Sequence, residues 1–179
     1  MLFNCSFVVP NYGVGDELSS SFIGPKLPRL SSYDDRIKLT PINNGHWTGV
    51  RGESNFIFDN PDIQKIIPDG IAYKNGYPDF SPVTLHEVRL KGIMSLDRDT
   101  NFKEANQMLA SQLGVKEKDI SKFMKKHKYT WHEVEDMRTM QLVPSFIHTN
   151  KVKSMDFGVK YGHLGGIGER TLLELINGG

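Results

Sequence analysis

Two short stretches near the C-terminus, YTWHEV at residues 129–134 and TMQLVP at residues 139–144, decide the fold prediction for this chain. Both are rich in β-branched and aromatic residues, and the mostly charged residues 135–138 separate them. This pattern predicts a β-hairpin. Pro144 then stands where it can open a short helix that carries His148. We therefore expect a ββα element in the C-terminal part of the chain.

The sequence before this element predicts a mixed fold. Apolar runs at residues 56–58 and 83–90 are strand candidates, and the prolines and glycines between them predict a loop-rich region. Apolar residues recur at helical spacing from Phe102 to Leu113, with a capping box formed by Asn101 and Glu104 and a stop at Gly114. A second helix is expected over about residues 118–127, in which His127 packs or caps.

These elements define an α+β fold class, in which a loop-rich mixed N-terminal portion packs on the C-terminal ββα element. Residues 1–45 contain four prolines and a serine-rich patch, and they predict an irregular arm or linker. Residues 46–179 are expected to form a single domain, in which residues 169–176 make a closing helix.

Composition narrows the possible functions. The 179-residue chain has a net charge of +1, no apolar run long enough for a membrane span and no evident signal peptide. Its single cysteine, Cys5, excludes an internal disulfide and a multi-cysteine zinc site. A bound metal would therefore need histidine and carboxylate ligands.

Three histidines in the C-terminal region carry the functional prediction. A neutral imidazole can act as a general base or bind a divalent metal ion. In a regular strand His132 faces away from Trp131 and Glu133, so we rank His132 first as the base that activates water. His148 and His163 are the candidate metal ligands, and Glu133 and Asp136 are possible acidic participants. A single histidine near a strand, such as His132, is more often a hydrogen-bonded structural residue. His148 could equally cap its short helix, and the glycines around His163 could simply form a tight turn.

Basic residues beside this cluster are candidates for binding a phosphate backbone. Lysines at 122, 125, 126 and 128 precede the hairpin, and the candidate substrate contacts are Lys125, Lys126, Lys128, Arg138 and Arg51. The alternatives are a solvated helix face for the lysines and a structural ion pair with Glu53 for Arg51.

The motifs also resemble a known family. The C-terminal signature consists of Trp131-His132-Glu133, Asp136, residues 139–144, His148 and Gly162-His163-Leu164-Gly165-Gly166. It is similar to the WHH-type nucleases of the HNH superfamily, which are C-terminal toxin domains of bacterial polymorphic toxins. Residues 47–54, 76–80 and 97–105 resemble the segment that precedes this signature in LXG-type toxins.

The resemblance implies a ββα-metal nuclease that is delivered into competing bacteria, acts in the cytoplasm of the target cell and is neutralised by a cognate immunity protein. Its cofactor would be a divalent metal ion (Mg, Mn, Zn or Ni) and its substrate a nucleic acid, with DNA favoured and RNA possible. Glu133 stands where the family has a second histidine, so either His132 or Glu133 would be the base. The stretch between His148 and His163 is longer than the family spacing.

Two other functions stay open at this point. One is a metal-independent ribonuclease toxin, in which the RNA 2′-hydroxyl is the nucleophile and histidines act as acid and base. The other is a non-enzymatic binding module, in which the histidines are structural and the basic cluster docks an acidic partner.

Overall fold

The computed structural model describes residues 31–148 and 165–177, and it confirms the α+β fold class. Two antiparallel sheets lie on two hydrophobic clusters, and helices cover them. Within the described residues, no helix is both long enough and apolar enough to cross a bilayer.

The first sheet has the strand order β1-β2-β3-β4. Its strands are β1 (Gly45–Trp47), β2 (Asn55–Phe58), β3 (Ile71–Lys74) and β4 (Tyr77–Asp79), and the short helix α2 (Pro61–Gln64) follows β2. The strand predicted at residues 56–58 is confirmed. The prediction of a loop-rich region after it is incomplete, because that region also contains α2 and the β3–β4 hairpin.

The β3–β4 hairpin has a local cause that the sequence displays. Asn75 and Gly76 form the turn with φ values of 55° and 79°, and an Asn-Gly pair between two strands is a strong signal for a tight hairpin. Residues of β3 alternate between buried and exposed, as expected for a strand with one face on the core. The many nearby glycines and prolines obscured this signal.

We expect Gly76→Ala to lower the free energy of unfolding, measured by urea denaturation. The left-handed backbone alone costs an alanine about 1–2 kcal/mol, and the added Cβ would lie 2.7 Å from the Cβ of Arg36. Gly92→Ala is the matched control, because a Cβ at Gly92 meets no atom within 4 Å. Equal stability of the two variants would contradict this account of the turn.

The second sheet has the order β5-β7-β6 and carries the predicted hairpin. Its strands are β5 (His86–Arg89), β6 (Tyr129–Glu133) and β7 (Thr139–Pro144). Helices α3 (Arg98–Leu113) and α4 (Glu117–His127) share a buried cluster with this sheet. The hairpin and both predicted helices are confirmed, although the strand expected at residues 83–90 is shorter and follows a 3-10 turn at Ser81–Val83.

The start of α3 differs from the prediction. Asp97 is the N-cap and accepts hydrogen bonds from the backbone N–H groups of Asp99 and Thr100. The predicted capping box at Asn101 is therefore wrong, and Asn101 lies buried inside the helix. Gly114 ends α3 in the left-handed conformation, as expected. His127 packs its ring against Phe123, with ring centroids 4.7 Å apart.

Helix α1 (Tyr33–Leu39) corrects the prediction of an irregular arm for the residues it spans. Its Arg36 side chain donates hydrogen bonds to the carbonyl groups of Ser31 and Asn75. Helix α6 (Gly166–Asn177) confirms that residues 169–176 are helical, and its buried Glu169 accepts hydrogen bonds from Ser31 and Tyr77. Hydrogen bonds thus connect α1 and α6 to the β3–β4 hairpin, through Asn75 and Tyr77. The division at residue 45 stays a prediction.

Candidate active site

The alternation of side chains along β6 separates two environments. Trp131 lies in the cluster between the second sheet and helices α3 and α4, and its indole N–H donates to Asn106 of α3 at 2.9 Å. Glu133 also contacts α3, through Asn101. His132 packs on the other side of the strand against Phe80, with ring centroids 4.8 Å apart. The predicted register, with His132 facing away from Trp131 and Glu133, is confirmed.

Helix α5 (Ser145–His148) brings a second imidazole to His132. The helix begins directly after β7, and the N–H of Ser145 donates to the carbonyl of Lys128 just before β6, at 2.8 Å. This turn places Nε2 of His148 3.3 Å from Nδ1 of His132. Phe80 lies against both rings. The structure thus joins two of the three predicted site histidines.

Both imidazoles lie in a largely dry environment. His132 is 2% exposed, and burial, together with the smaller effect of the positive charge of Arg98, lowers the pKa of His148 to about 4. Desolvation disfavours the charged imidazolium. His148 is therefore neutral at physiological pH, which is the form that binds a metal ion.

The geometry of the pair fits a divalent ion with nitrogen ligands. Two nitrogens that each lie about 2.0–2.1 Å from one tetrahedral ion are about 3.3 Å apart, which matches the observed separation. A direct hydrogen bond between the rings fits the same distance. Among the described residues, no group of three His, Cys, Asp or Glu side chains is close enough to hold a metal ion. His163 lies outside the described residues.

Glu133 is held on the α3 side of β6. Its Oε2 accepts a hydrogen bond from Nε of Arg98 at 3.1 Å and forms an ion pair with Nη2 of Arg98 at 3.0 Å, and its Oε1 accepts a hydrogen bond from Asn101 at 3.0 Å. The Glu133 side chain is 3% exposed. Both carboxylate oxygens are therefore engaged away from the face that His132 occupies.

Asp136 and Arg138 lie in the turn of the β6–β7 hairpin. Oδ1 of Asp136 accepts hydrogen bonds from the N–H groups of Arg138 and Thr139 at 2.9 and 2.7 Å, and its Oδ2 binds the Thr139 hydroxyl and Arg89. This arrangement is that of a turn-forming aspartate. The carboxylate has a clear structural role there.

The other predicted substrate contacts lie elsewhere on the fold. Arg51 donates to the carbonyl groups of Ile37 and Thr40 and to the Thr40 hydroxyl, so it caps the end of α1 rather than pairing with Glu53. Lys125 and Lys126 are exposed on α4, and Lys128 follows that helix in a left-handed conformation. Helix α4 packs on the Trp131 face of the second sheet, opposite the His132 face.

Sequence reasoning missed two residues at this site, Phe80 and Arg98. Phe80 reaches the histidine pair from the end of the first sheet. Its signal was weak, since it lies in a segment without clear periodicity. Arg98 had a better signal, because a glutamate on the core-facing side of a strand requires a partner.

The paired histidines make the β6–β7–α5 element the candidate active site of this α+β protein. Residues 70–154 match the family model described as the DNase/tRNase domain of colicin-like bacteriocin. The match covers slightly less than half of the chain and includes β6, β7 and α5. It supports a bacteriocin-type nuclease toxin domain, which implies a nucleic-acid substrate and phosphodiester hydrolysis. No curated protein shows significant similarity to the chain.

Proposed function

We propose that this chain is an HNH-type endonuclease toxin in which His132 and His148 together form the centre of a divalent-metal site. The observation that carries the proposal is the 3.3 Å separation of Nδ1 of His132 and Nε2 of His148. His163 is proposed as a further ligand, on the strength of the sequence resemblance.

The metal ion and the two histidines would have different roles in phosphodiester hydrolysis. When bound, the metal ion would supply Lewis-acid stabilisation of the phosphate and lower the pKa of a water molecule. His148, which is neutral, offers Nε2 as a ligand. His132 is buried with Nδ1 directed at His148, and this favours a ligand role over that of a solvent-facing base. Phe80 packs against both rings and would restrict their orientation.

The donor atoms narrow the choice of metal. Imidazole nitrogen suits Zn or Ni, whereas Mg prefers carboxylate oxygen and water. The acidic residues named as participants, Glu133 and Asp136, are engaged by Arg98 and by the hairpin turn. We therefore favour Zn or Ni over Mg and Mn.

A metal-independent ribonuclease is the second candidate, because the same 3.3 Å contact fits a hydrogen bond between two rings that exchange a proton. Purified protein incubated with duplex DNA and with RNA, each with and without EDTA, separates the two. Chelator-sensitive DNA cleavage supports the metal nuclease, and chelator-resistant RNA cleavage supports the ribonuclease. Cleavage of neither substrate would overturn both.

The proposed biological role is competition between bacteria. The toxin would leave the producing cell, act in the cytoplasm of a target bacterium and be neutralised in the producer by an immunity protein. The family match and the sequence resemblance support this role. Expression should arrest growth, and coexpression of the adjacent open reading frame should restore it. Unimpaired growth with active protein present would contradict the proposal.

The lysines of α4 are proposed to strengthen substrate binding without taking part in the reaction. We expect Lys125→Glu combined with Lys126→Glu to raise KM and to weaken its dependence on salt concentration. Each phosphate contact contributes about 0.7–0.9 to the slope of the logarithm of the binding constant against the logarithm of the salt concentration. The kcat value should stay within about twofold, since uniform binding affects KM alone.

The matched control is charge reversal of the exposed Lys65 and Lys74, which lie in the other half of the fold. If the α4 variant lost toxicity completely while His132→Ala kept it, a non-enzymatic binding module would explain the protein better.

A further inference from the structure

Three aromatic rings lie together where α4 ends and β6 begins. Phe123 is the middle ring, and its centroid lies 4.7 Å from that of His127 and 5.7 Å from that of Tyr129, with interplanar angles of 35° and 33°. Phe123 is 37% exposed and His127 is also exposed, whereas Tyr129 is partly buried against the hydrophobic cluster of the second sheet. The three rings therefore form an aromatic surface that is open to solvent.

Exposed lysines accompany this aromatic surface. Residues 120–128 contain four lysines and no acidic residue, although the whole chain has a net charge of only +1. Lys122 and Lys126 are four residues apart, as are Phe123 and His127, so a row of lysines runs beside the row of rings along α4. Within the described parts of the chain, none of these lysines forms an ion pair. Their charges can therefore meet an anionic partner.

The packing of α4 does not explain this combination. Ile120 and Met124 join the buried cluster and attach the helix to the sheet. Lysines in the last turn of a helix complement its dipole, but the dipole gives no reason for an exposed phenylalanine among them. Proteins that bind single-stranded nucleic acids combine these two features, because bases stack on aromatic rings while cations follow the phosphate backbone.

The backbone connects the aromatic surface to the candidate active site. The N–H of Ser145, the first residue of α5, donates to the carbonyl of Lys128 at 2.8 Å, and Tyr129 pairs with Pro144. His132 follows Tyr129 by three residues of β6, which is about 10 Å at the rise of a strand. The rings lie on the α4 side of the sheet, so a bound strand would bend round this end of β6 to reach the histidine pair.

We propose that the aromatic surface stacks the unpaired bases of a single-stranded nucleic acid, and that Lys122 and Lys126 bind the adjoining phosphates. Bases inside a duplex are stacked on one another, so their faces are not open to the rings. This inference rests on the proposed nuclease function and names an unpaired strand as the preferred substrate class. Because every base has a face that can stack, the surface should read little sequence.

Binding measured without cleavage tests this proposal. The protein is the full wild-type chain in EDTA, and the probes are fluorescent DNA of about 16 nucleotides, its blunt duplex and 2′-O-methyl RNA of the same sequence. EDTA stops metal-dependent hydrolysis, and the 2′-O-methyl group removes the hydroxyl that a metal-independent ribonuclease would use. We expect a single strand, of DNA or of RNA, to bind at least about 10-fold more tightly than the duplex at equal salt.

Phe123→Leu separates stacking from apolar packing, because leucine keeps an apolar side chain and loses the ring. We expect this variant to bind single strands about 5–100-fold more weakly, which is the contribution of one stacked base, and to bind the duplex like wild type. Phe123→Trp, which keeps a ring, should bind single strands tightly. Near-UV circular dichroism and thermal unfolding check that both variants are folded.

Tyr33→Leu is the matched control. Tyr33 is 40% exposed, close to the value for Phe123, and it lies in α1, outside the second sheet and its helices. This variant should bind every probe like wild type. The proposal is overturned if folded Phe123→Leu protein also binds single strands like wild type, or if it loses affinity for strand and duplex equally.

The salt dependence of binding tests the row of lysines. Lys122→Gln combined with Lys126→Gln should reduce the slope of log K against log salt by about 1.4, because each phosphate contact on a single strand contributes about 0.7. Phe123→Leu should leave this slope unchanged, since stacking releases no counterions. An unchanged slope in the lysine variant would overturn the phosphate contacts.

The outcome is separable from that of the nuclease proposal. A wild-type chain that cleaves no substrate but binds single strands through Phe123 would keep the aromatic surface and refute the enzyme. An active enzyme whose binding and KM are unchanged by Phe123→Leu would keep the enzyme and refute the aromatic surface. In an active enzyme, we expect Phe123→Leu to raise KM for single strands and to leave kcat within about twofold.

Discussion

Replacement of His132 by alanine is expected to lower the rate of nucleic-acid cleavage by about 10²–10⁴-fold, the range over which a positioned imidazole contributes to catalysis. The side chain is buried between Phe80 and His148. No neighbouring residue of β6 can replace it, because the residues on either side face the opposite way. Initial rates on duplex DNA and on RNA, at saturating metal, measure the effect.

His86→Ala is the control for this variant, since His86 is a histidine of the same sheet that pairs with Leu142 of β7. It should keep nearly full activity. Because loss of a buried ring also removes packing, His132→Gln is tested alongside with near-UV circular dichroism. A natively folded His132→Gln protein with wild-type rates would refute the active-site assignment.

Metal removal is expected to have an effect of similar size. Treatment with EDTA should reduce cleavage to background, and addition of Zn or Ni should restore it, because the ion both stabilises charge on the phosphate and activates water. Isothermal titration calorimetry of the metal-free protein, after removal of EDTA, should then detect one bound ion per chain. His148→Ala should weaken that binding by at least about 10–100-fold, the loss typical even for residues that only support a ligand.

The same titration separates the two roles considered for His132. If His132 is a ligand, His132→Ala loses metal affinity together with activity. If it is the general base, the variant binds metal normally and loses activity alone. Full activity of the wild-type protein in EDTA would instead favour the metal-independent ribonuclease, and unchanged metal affinity in both histidine variants would refute the proposed metal site.

Local patterns allowed much of the second sheet and its helices to be predicted. The β6–β7 hairpin, α3 and α4 follow from residue periodicity and from Gly114, which are properties of neighbouring residues. The β3–β4 hairpin was not predicted, although the Asn75-Gly76 pair indicates a tight turn. Helix α1 was missed because its seven residues are too short for a clear periodic signal, and its cap at Ser32 is one of several serines in that stretch.

The candidate site was less predictable than the fold. His132 and His148 were named from residue type and motif, but the sequence could not assign Glu133, Asp136 or Arg51 to their observed partners. A carboxylate that binds metal and one that supports a turn have the same side chain, and only neighbours distinguish them. Asp136 is engaged by residues two and three positions away, whereas Glu133 is engaged by residues of α3.

The sequence by itself determined that Trp131 and His132 lie on opposite faces of one strand, because side-chain alternation follows from the geometry of each extended residue. Only the tertiary structure decided what those faces meet. His132 contacts His148 across a separation of 16 residues, and Glu133 contacts Arg98 across 35. Such contacts depend on how α5 folds back onto β6 and how α3 packs against the sheet, and these arrangements are set by the burial of the whole core.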